Sequence, residues 1–399
     1  MAVPTVDPPR LLDPDVLADP YPTYHRLRQQ APVGWCEPMG AWLITGWEPA
    51  DAVLRDARTR SSGFRRRAAQ VRALGSEYEE LLQIVGLQMV FMDQPDHGRV
   101  RRALQAAFTP RAIEGLRPRV TALVAEHLAS MPLDADVMAG LAVPLPAIVV
   151  SEVLGVLPAE RDRFVAWSHA LVEFVGTGRT DEAFLAGTQD AMREWAVFFA
   201  ELATQQRSSV LATLLEQQAG GQLSWDELIA NAIFLLAAGH ETTTNLIGNG
   251  LLALARHPAE WARLRSDPRL AQPAVEELLR FDAPVQLVGR STEAPIEIAG
   301  ATIPANADLV VVVGAANRDP VAFGDGDDPD VLRLDRQPNR HLAFVQGPHH
   351  CLGAALARLE GQVVFEALAA RYLRLQPPDR PQWRRNPAFR GLEALRLTP

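Results

Sequence analysis

The chain is expected to be mainly α-helical, with a small β part near residues 30–46 and 285–345. Three features predict this class. Apolar residues recur with helical periodicity through most of residues 96–256. Strand-like segments cluster late, at 285–291, 296–303 and 309–313. Ser224-Trp225-Asp226-Glu227 matches the S-x-x-E capping box and opens a helix that meets no proline before Pro258. At 1.5 Å per residue such a helix is roughly 50 Å long, enough to cross a whole domain.

In chain order, a Pro/Asp-rich arm precedes a short helix at 22–30, a strand at 42–45 and a helix at 48–55. Residues 59–88 are irregular, basic and then apolar, and are expected to form a long loop with weak helix, of the kind that is usually functional or mobile. Helices are expected at 96–108, 110–131, 143–154, 159–175, 181–206 and 209–218. Gly176-Thr177-Gly178 separates two of them as a candidate flexible tip. The acidic stretch 325–330 lacks the alternating Asp/Asn spacing and distal Glu of a calcium loop and is expected to be a solvated turn.

Composition narrows the function classes. The 399 residues are 48% hydrophobic, enough for a sizeable core, and carry a formal charge of −9, which argues against a nucleic-acid binder. Two cysteines, Cys36 and Cys351, provide no disulfide framework and fit a reducing cytoplasm. The N-terminal MAVPTVDPPR has no apolar h-region, and the most apolar run, 137–156, is broken by Pro144, Pro146, Ser151 and Glu152. No membrane association is therefore expected, and electrons, if used, must come from a soluble partner or carrier.

The chemistry concentrates in Phe344-Val345-Gln346-Gly347-Pro348-His349-His350-Cys351-Leu352-Gly353. A cysteine just before a helix faces free N–H groups and the positive end of the helix dipole, which favour thiolate. Gly347 and Gly353 allow close approach, Pro348 stiffens the turn, and Phe344 is placed to cover the sulfur. The stretch is built to present sulfur to something flat and large, or to a metal. Zinc held by His341, His349, His350 and Cys351 is the non-enzymatic alternative, but adjacent ligands chelate one ion awkwardly.

The long helix has a weakened centre, Ala237-Ala238-Gly239-His240-Glu241-Thr242-Thr243-Thr244. Glycine costs about 1 kcal/mol there against alanine, and each β-branched threonine adds several tenths. A small Ala-Gly pair lets a planar group lie against the backbone, and the neighbouring acid and hydroxyl can pass protons. His240-Glu241 does not begin a zinc-protease motif, because position 244 is Thr rather than His. Glu277 and Arg280 share a helix face, as do His97 and Arg101, while Arg290 sits in an apolar strand where an inward orientation requires a buried anion.

In this order the motifs resemble the cytochrome P450 superfamily, specifically the soluble bacterial haem-thiolate monooxygenases, over nearly the whole chain from Asp19-Pro20-Tyr21-Pro22 to Phe389-Arg390-Gly391-Leu392. Phe344-x-x-Gly347-x-x-x-Cys351-x-Gly353 is similar to the haem-ligand signature. Ala238-Gly239-His240-Glu241-Thr242 resembles the oxygen-activation motif, and Glu277-x-x-Arg280 the structural Glu-Arg pair. Val345 departs from the glycine common after the signature phenylalanine.

The resemblance implies one haem-thiolate domain spanning 1–399, with haem b between the long helix and the helix after Cys351. Cys351 would ligate the iron, His97, Arg101, Arg290 and His349 would hold the propionates, and Ala238, Gly239, Phe344, Gly347 and Gly353 would surround the cofactor. Glu241 and Thr242 would deliver protons on the opposite face. Glu277 and Arg280 would be structural, tied to residues 317–319 or the following loop. Candidate substrate contacts are Leu87, Val90, Phe174, Ile233, Phe234, Ala237, Val285, Val288 and Phe389. The implied reaction inserts one atom of O2 into an apolar small molecule by hydroxylation or epoxidation, for instance in tailoring a secondary metabolite. Peroxide-driven oxidation or oxidative coupling is the alternative on the same cofactor. A monomeric, cytoplasmic enzyme is expected, drawing NAD(P)H electrons through ferredoxin reductase and ferredoxin, with Arg99 and Arg102 as candidate docking cations.

Overall fold

The computed structural model describes residues 3–61, 63–205, 209–324 and 328–396. Helices dominate and the strands are few and short, as the periodicity predicts. The chain divides into two compact units, one made of residues 1–60, 117–142 and 242–399, the other of 61–116 and 143–241.

The first unit contains all the named strands: β1 (Val33–Cys36), β2 (Ala41–Ile44), β3 (Thr59–Arg60), β4 (Leu287–Thr292), β5 (Ile296–Ile298), β6 (Ala301–Ile303), β7 (Asp308–Val312), β8 (Gln382–Trp383) and β9 (Leu392–Ala394). Five form one sheet in the order β1-β2-β7-β4-β3, where only β2 and β7 pair in parallel. Trp42, Ile44, Leu309 and Val311 face one apolar cluster with Val53, Leu54 and Leu342, while Leu43 and Val312 face another with Tyr24 and Leu27. Both faces are thus covered, which explains the unbroken apolar run in β7. The expected strand at 296–303 is a hairpin instead. Ala299 (φ 49°) and Gly300 (φ 75°) both turn left-handed between β5 and β6, the geometry of a two-residue turn.

In the second unit, the expected loop at 59–88 contains two helices, Gly63–Arg72 and Glu79–Gly86. The first is basic on several faces, so its short apolar stripe escapes a periodicity search. The helix expected at 110–131 is two helices, Pro110–Glu114 and Arg117–Ser130, the second belonging to the first unit. Helices Arg161–Thr177 and Glu182–Gln205 pack through Trp167 and the fully buried Trp195, ring centroids 5.8 Å apart. The expected flexible tip at 176–178 is tied down: buried Arg67 donates to the carbonyls of Gly178 and Arg179 and lies over the Phe174 ring. Of the expected turn at 325–330, residues 325–327 lie outside the described residues, while Asp330 accepts a 3.1 Å bond from Arg318.

The long helix runs from Trp225 to Arg256, 32 residues. Its capping box forms as predicted: the Ser224 N–H donates to Glu227 Oε2 at 2.8 Å, and the Glu227 N–H to Ser224 Oγ at 3.0 Å. The helix contributes its part up to Glu241 to one unit and its part from Thr242 to the other. Among the described residues no helix is long and apolar enough to cross a membrane.

Candidate active site

Cys351 lies between a short 3-10 turn (Gly347–His349) and the helix Ala354–Arg371, which is N-capped by Gly353. It is half-buried, and its N–H donates to the Phe344 carbonyl at 2.9 Å, closing the loop on itself. Gly347 has φ 73°, and a Cβ there would fall 2.5 Å from the Leu54 carbonyl oxygen, so only glycine fits. At Gly353, by contrast, a Cβ would meet nothing within 4 Å. Val345, where the resemblance predicts glycine, also has a left-handed φ of 50°. The family preference is therefore explained by backbone conformation, and this chain carries the strain.

An ion cluster fixes the covering phenylalanine. The Arg358 guanidinium lies 4.5 Å from the Phe344 ring centroid and donates to Glu276 at 2.7 and 2.9 Å. His341 Nε2 lies 3.0 Å from the same carboxylate. Burial would raise the Glu276 pKa, but its bonds to His341 and Arg358 outweigh that and hold it at about 2. His341 is thereby committed to Glu276, and among the described residues no group of three or more His, Cys, Asp or Glu is placed to hold a metal ion. The zinc alternative is not supported.

Glu277 and Arg280 meet in the interior of the first unit. Arg280 Nε and Nη2 donate to the two Glu277 oxygens at 2.7 and 2.8 Å, and both side chains are fully buried. Arg280 also donates to the carbonyls of Asn317 and Pro329, so the link to the 317 region is direct. Arg336, which spacing did not reveal, donates to Glu277 at 3.2 Å and completes a buried triad.

Candidate propionate partners fall in both units. Arg290 is 5% exposed on β4, an inward orientation, and His349 is half-buried one turn before Cys351. In the other unit His97 is 1% exposed on helix Asp96–Gln105 and Arg101 is half-buried one turn further on. Arg99, expected to dock a partner, is bound to Glu227 at 2.6 and 2.8 Å and to Asp96 at 2.9 Å. It braces the start of the long helix.

The middle of that helix is buried except along one stripe. Phe234, Ala238 and Thr242, four residues apart, are partly accessible while most of their neighbours are buried. The stripe is small at its centre and suits a flat group. At Gly239 a Cβ would also point at Val150 of helix Pro144–Leu154, 3.1 Å away. Its absence permits helix packing. In the other unit a half-buried cysteine before a helix, the open position at Gly353 and the inward Arg290 suit the same kind of group.

Among the candidate substrate residues, Leu87, Val90 and Phe234 are partly accessible in one unit, and Val285, Val288 and Phe389 in the other. Val285 and Phe389 are brought together by a β-bridge. Asn231, unremarked in the sequence, fixes the 87–89 turn by donating to the Leu87 carbonyl at 3.0 Å and accepting from the Met89 N–H at 2.8 Å. Ile233 and Phe174 are fully buried and Ala237 nearly so.

Comparison with known proteins agrees with this geometry. A family profile described as Cytochrome P450 matches residues 197–392. The chain is 36% identical over 395 residues to the polyketide biosynthesis cytochrome P450 PksS of Bacillus subtilis, covering 94% of this chain and 95% of that one. It is 39% identical over 414 residues to the cytochrome P450 monooxygenase PikC of Streptomyces venezuelae, covering 98% and 94%. The solved structure of P450BioI, in complex with an acyl carrier protein ligated to hexadec-9Z-enoic acid, superimposes with a TM-score of 0.89 at 32% identity, covering 96% and 98%.

Proposed function

The chain belongs to the cytochrome P450 family and is a monooxygenase acting on small molecules, and on that premise we propose that Cys351 is the thiolate ligand of a haem b. The Cys351 loop carries this assignment: a half-buried cysteine ahead of a helix, its backbone locked by the Phe344 carbonyl and by Gly347. His97, Arg101, Arg290 and His349 would hold the propionates. Haem, when bound, supplies the dioxygen chemistry, which electron donation from a thiolate directs toward O–O cleavage.

The chain's own residues arrange the surroundings. Ala238 and the Gly239 backbone keep the long helix thin, while Phe344 and Gly353 flank the sulfur. Glu241 carries a proton from solvent and releases it at Thr242 Oγ, whose hydroxyl passes a proton onward. Adjacent helix positions do not face each other, so this transfer requires a turn of the Glu241 side chain or one bridging water.

The substrate is an apolar secondary metabolite of polyketide type, hydroxylated or epoxidised against Leu87, Val90, Phe234, Val285, Val288 and Phe389. The names of the relatives and the apolar character of these residues support that class. Electrons pass from NAD(P)H through a ferredoxin reductase and a ferredoxin. A cleft of about 240 Å³ beside the Cys351 loop, lined by Arg55, Arg340 and Arg358 with Asp51 and Glu276, is a second candidate face for such a partner beside Arg99 and Arg102. Two free cysteines fit a cytoplasmic enzyme. The test is to screen macrolactones and other polyketides for a substrate-induced spin-state change, then supply ferredoxin, its reductase and NAD(P)H. Product one oxygen atom heavier than substrate is expected; no product from any ligand that shifts the spectrum would count against this substrate class.

A further inference from the structure

Glu241 is 2% exposed, and its carboxylate reaches the helix Arg161–Thr177. There its Oε2 lies 3.7 Å from Nε2 of His169, whose side chain is 44% exposed. The His169 ring also stacks on His240, with ring centroids 6.1 Å apart and planes at 17°. His240 itself is fully buried. A buried carboxylate that must acquire protons from water is thus met, on its solvent side, by an imidazole with one edge in water and one edge on the acid. Histidine is the side chain whose ordinary pKa lets it take and give a proton near neutrality.

We infer that His169 is the positioning residue that recharges Glu241. It holds the carboxylate in its outward rotamer and transfers a proton from Nε2–H to Oε2. This leaves a neutral imidazole and a carboxylic acid, and the imidazole regains its proton from solvent. The neutral Glu241 is then free of the ion pair and turns toward Thr242. His240 fixes the plane of the His169 ring. This inference rests on the proton-delivery role of Glu241 proposed above and adds the route by which that acid is supplied.

Several charged groups lie on the elements around His169. From the long helix, Glu241 and His240 face it. On its own helix Glu173, one turn on, is 3.6 Å from Arg179, and Arg161 is paired with Glu152 of helix Pro144–Leu154. From helix Glu182–Gln205, Glu194 accepts from the Trp167 indole at 3.2 Å. Glu241 is the carboxylate seen against His169 Nε2.

The experiment uses the haem-loaded enzyme in two parts. In the ferrous carbonyl form, NMR follows the His169 imidazole through pH in wild type and in Glu241→Gln; loss of the carboxylate is expected to lower the midpoint by about one pH unit. In turnover, His169→Gln is expected to keep wild-type haem content and substrate-binding spectra. It should lose about tenfold in product formation, with a larger solvent deuterium isotope effect. In the Glu241→Gln background the same change should cost nothing further. An unchanged midpoint, or a His169→Gln enzyme with wild-type rate and isotope effect, overturns the role of His169. If Glu241→Gln also turns over normally, the proton-delivery role of Glu241 falls with it.

Discussion

Arg280 and Glu277 share two parallel N–H···O bonds of 2.7 and 2.8 Å with no exposure of either side chain. Burial alone would lower the Arg280 pKa, so its charge is held by Glu277 and by three backbone carbonyls. The pair fastens helix Ala271–Phe281 to the chain around Asn317 and Pro329, the same helix that supplies Glu276 to the Cys351 loop. Folding and site geometry are joined there.

Removing the anion should therefore be severe. Glu277→Gln takes from the buried Arg280 and Arg336 the carboxylate they share, and is expected to cost about 3–5 kcal/mol. Chemical denaturation of the purified variant checks this; a loss under about 1 kcal/mol would show that water or backbone carbonyls suffice.

Much of this was legible in the sequence. The capping box at Ser224 fixed the start of the long helix, and the Phe344–Gly353 spacing located the sulfur loop. Contacts distant in the chain were not legible. The parallel pairing of β2 with β7 joins residues more than 250 positions apart, and local periodicity carries no register across that distance. Arg336 joins Glu277 through such a contact, and His169 meets Glu241 from a different helix. Helix Gly63–Arg72 was missed because four arginines mask its apolar stripe.

Val345 tests the cost of a left-handed residue beside the ligand loop. Valine at φ 50° carries about 1–2 kcal/mol of backbone strain that only glycine relieves. Its partly buried side chain packs on the sheet cluster, so both Val345→Gly and Val345→Ala lose that contact. Thermal unfolding should rank Val345→Gly above Val345→Ala by about 1 kcal/mol, despite the greater unfolded-state freedom of glycine. The reverse order would mean that the loop adopts an ordinary φ in solution.

Glu360, fully buried on the Cys351 helix, has its pKa raised by desolvation to about 8. Its folded form retains a proton that the unfolded chain releases near pH 4.5. The resulting stability is complete below that pH and declines as pH rises through about 8. Glu360→Gln should remove this decline. Urea denaturation at pH 6 and pH 8 is expected to show a smaller pH difference in the variant; equal differences would place the Glu360 carboxyl in contact with water.

Thr242 stands on the accessible stripe of the long helix, where a hydroxyl can receive a proton from Glu241. Thr242→Ala should leave cofactor content intact, lower product per NAD(P)H consumed by about tenfold or more, and raise hydrogen peroxide release. Unchanged yield and unchanged peroxide would remove Thr242 from the proton route.

The central claim is that the Cys351 sulfur is the iron ligand, and a carbon monoxide difference spectrum of the reduced protein tests it most directly. Wild type should show the strongly red-shifted Soret band of a thiolate-ligated haem, and Cys351→Ser should lose that band while still binding haem. A red-shifted band that persists in Cys351→Ser, or a colourless wild-type protein that binds zinc instead, would contradict the account.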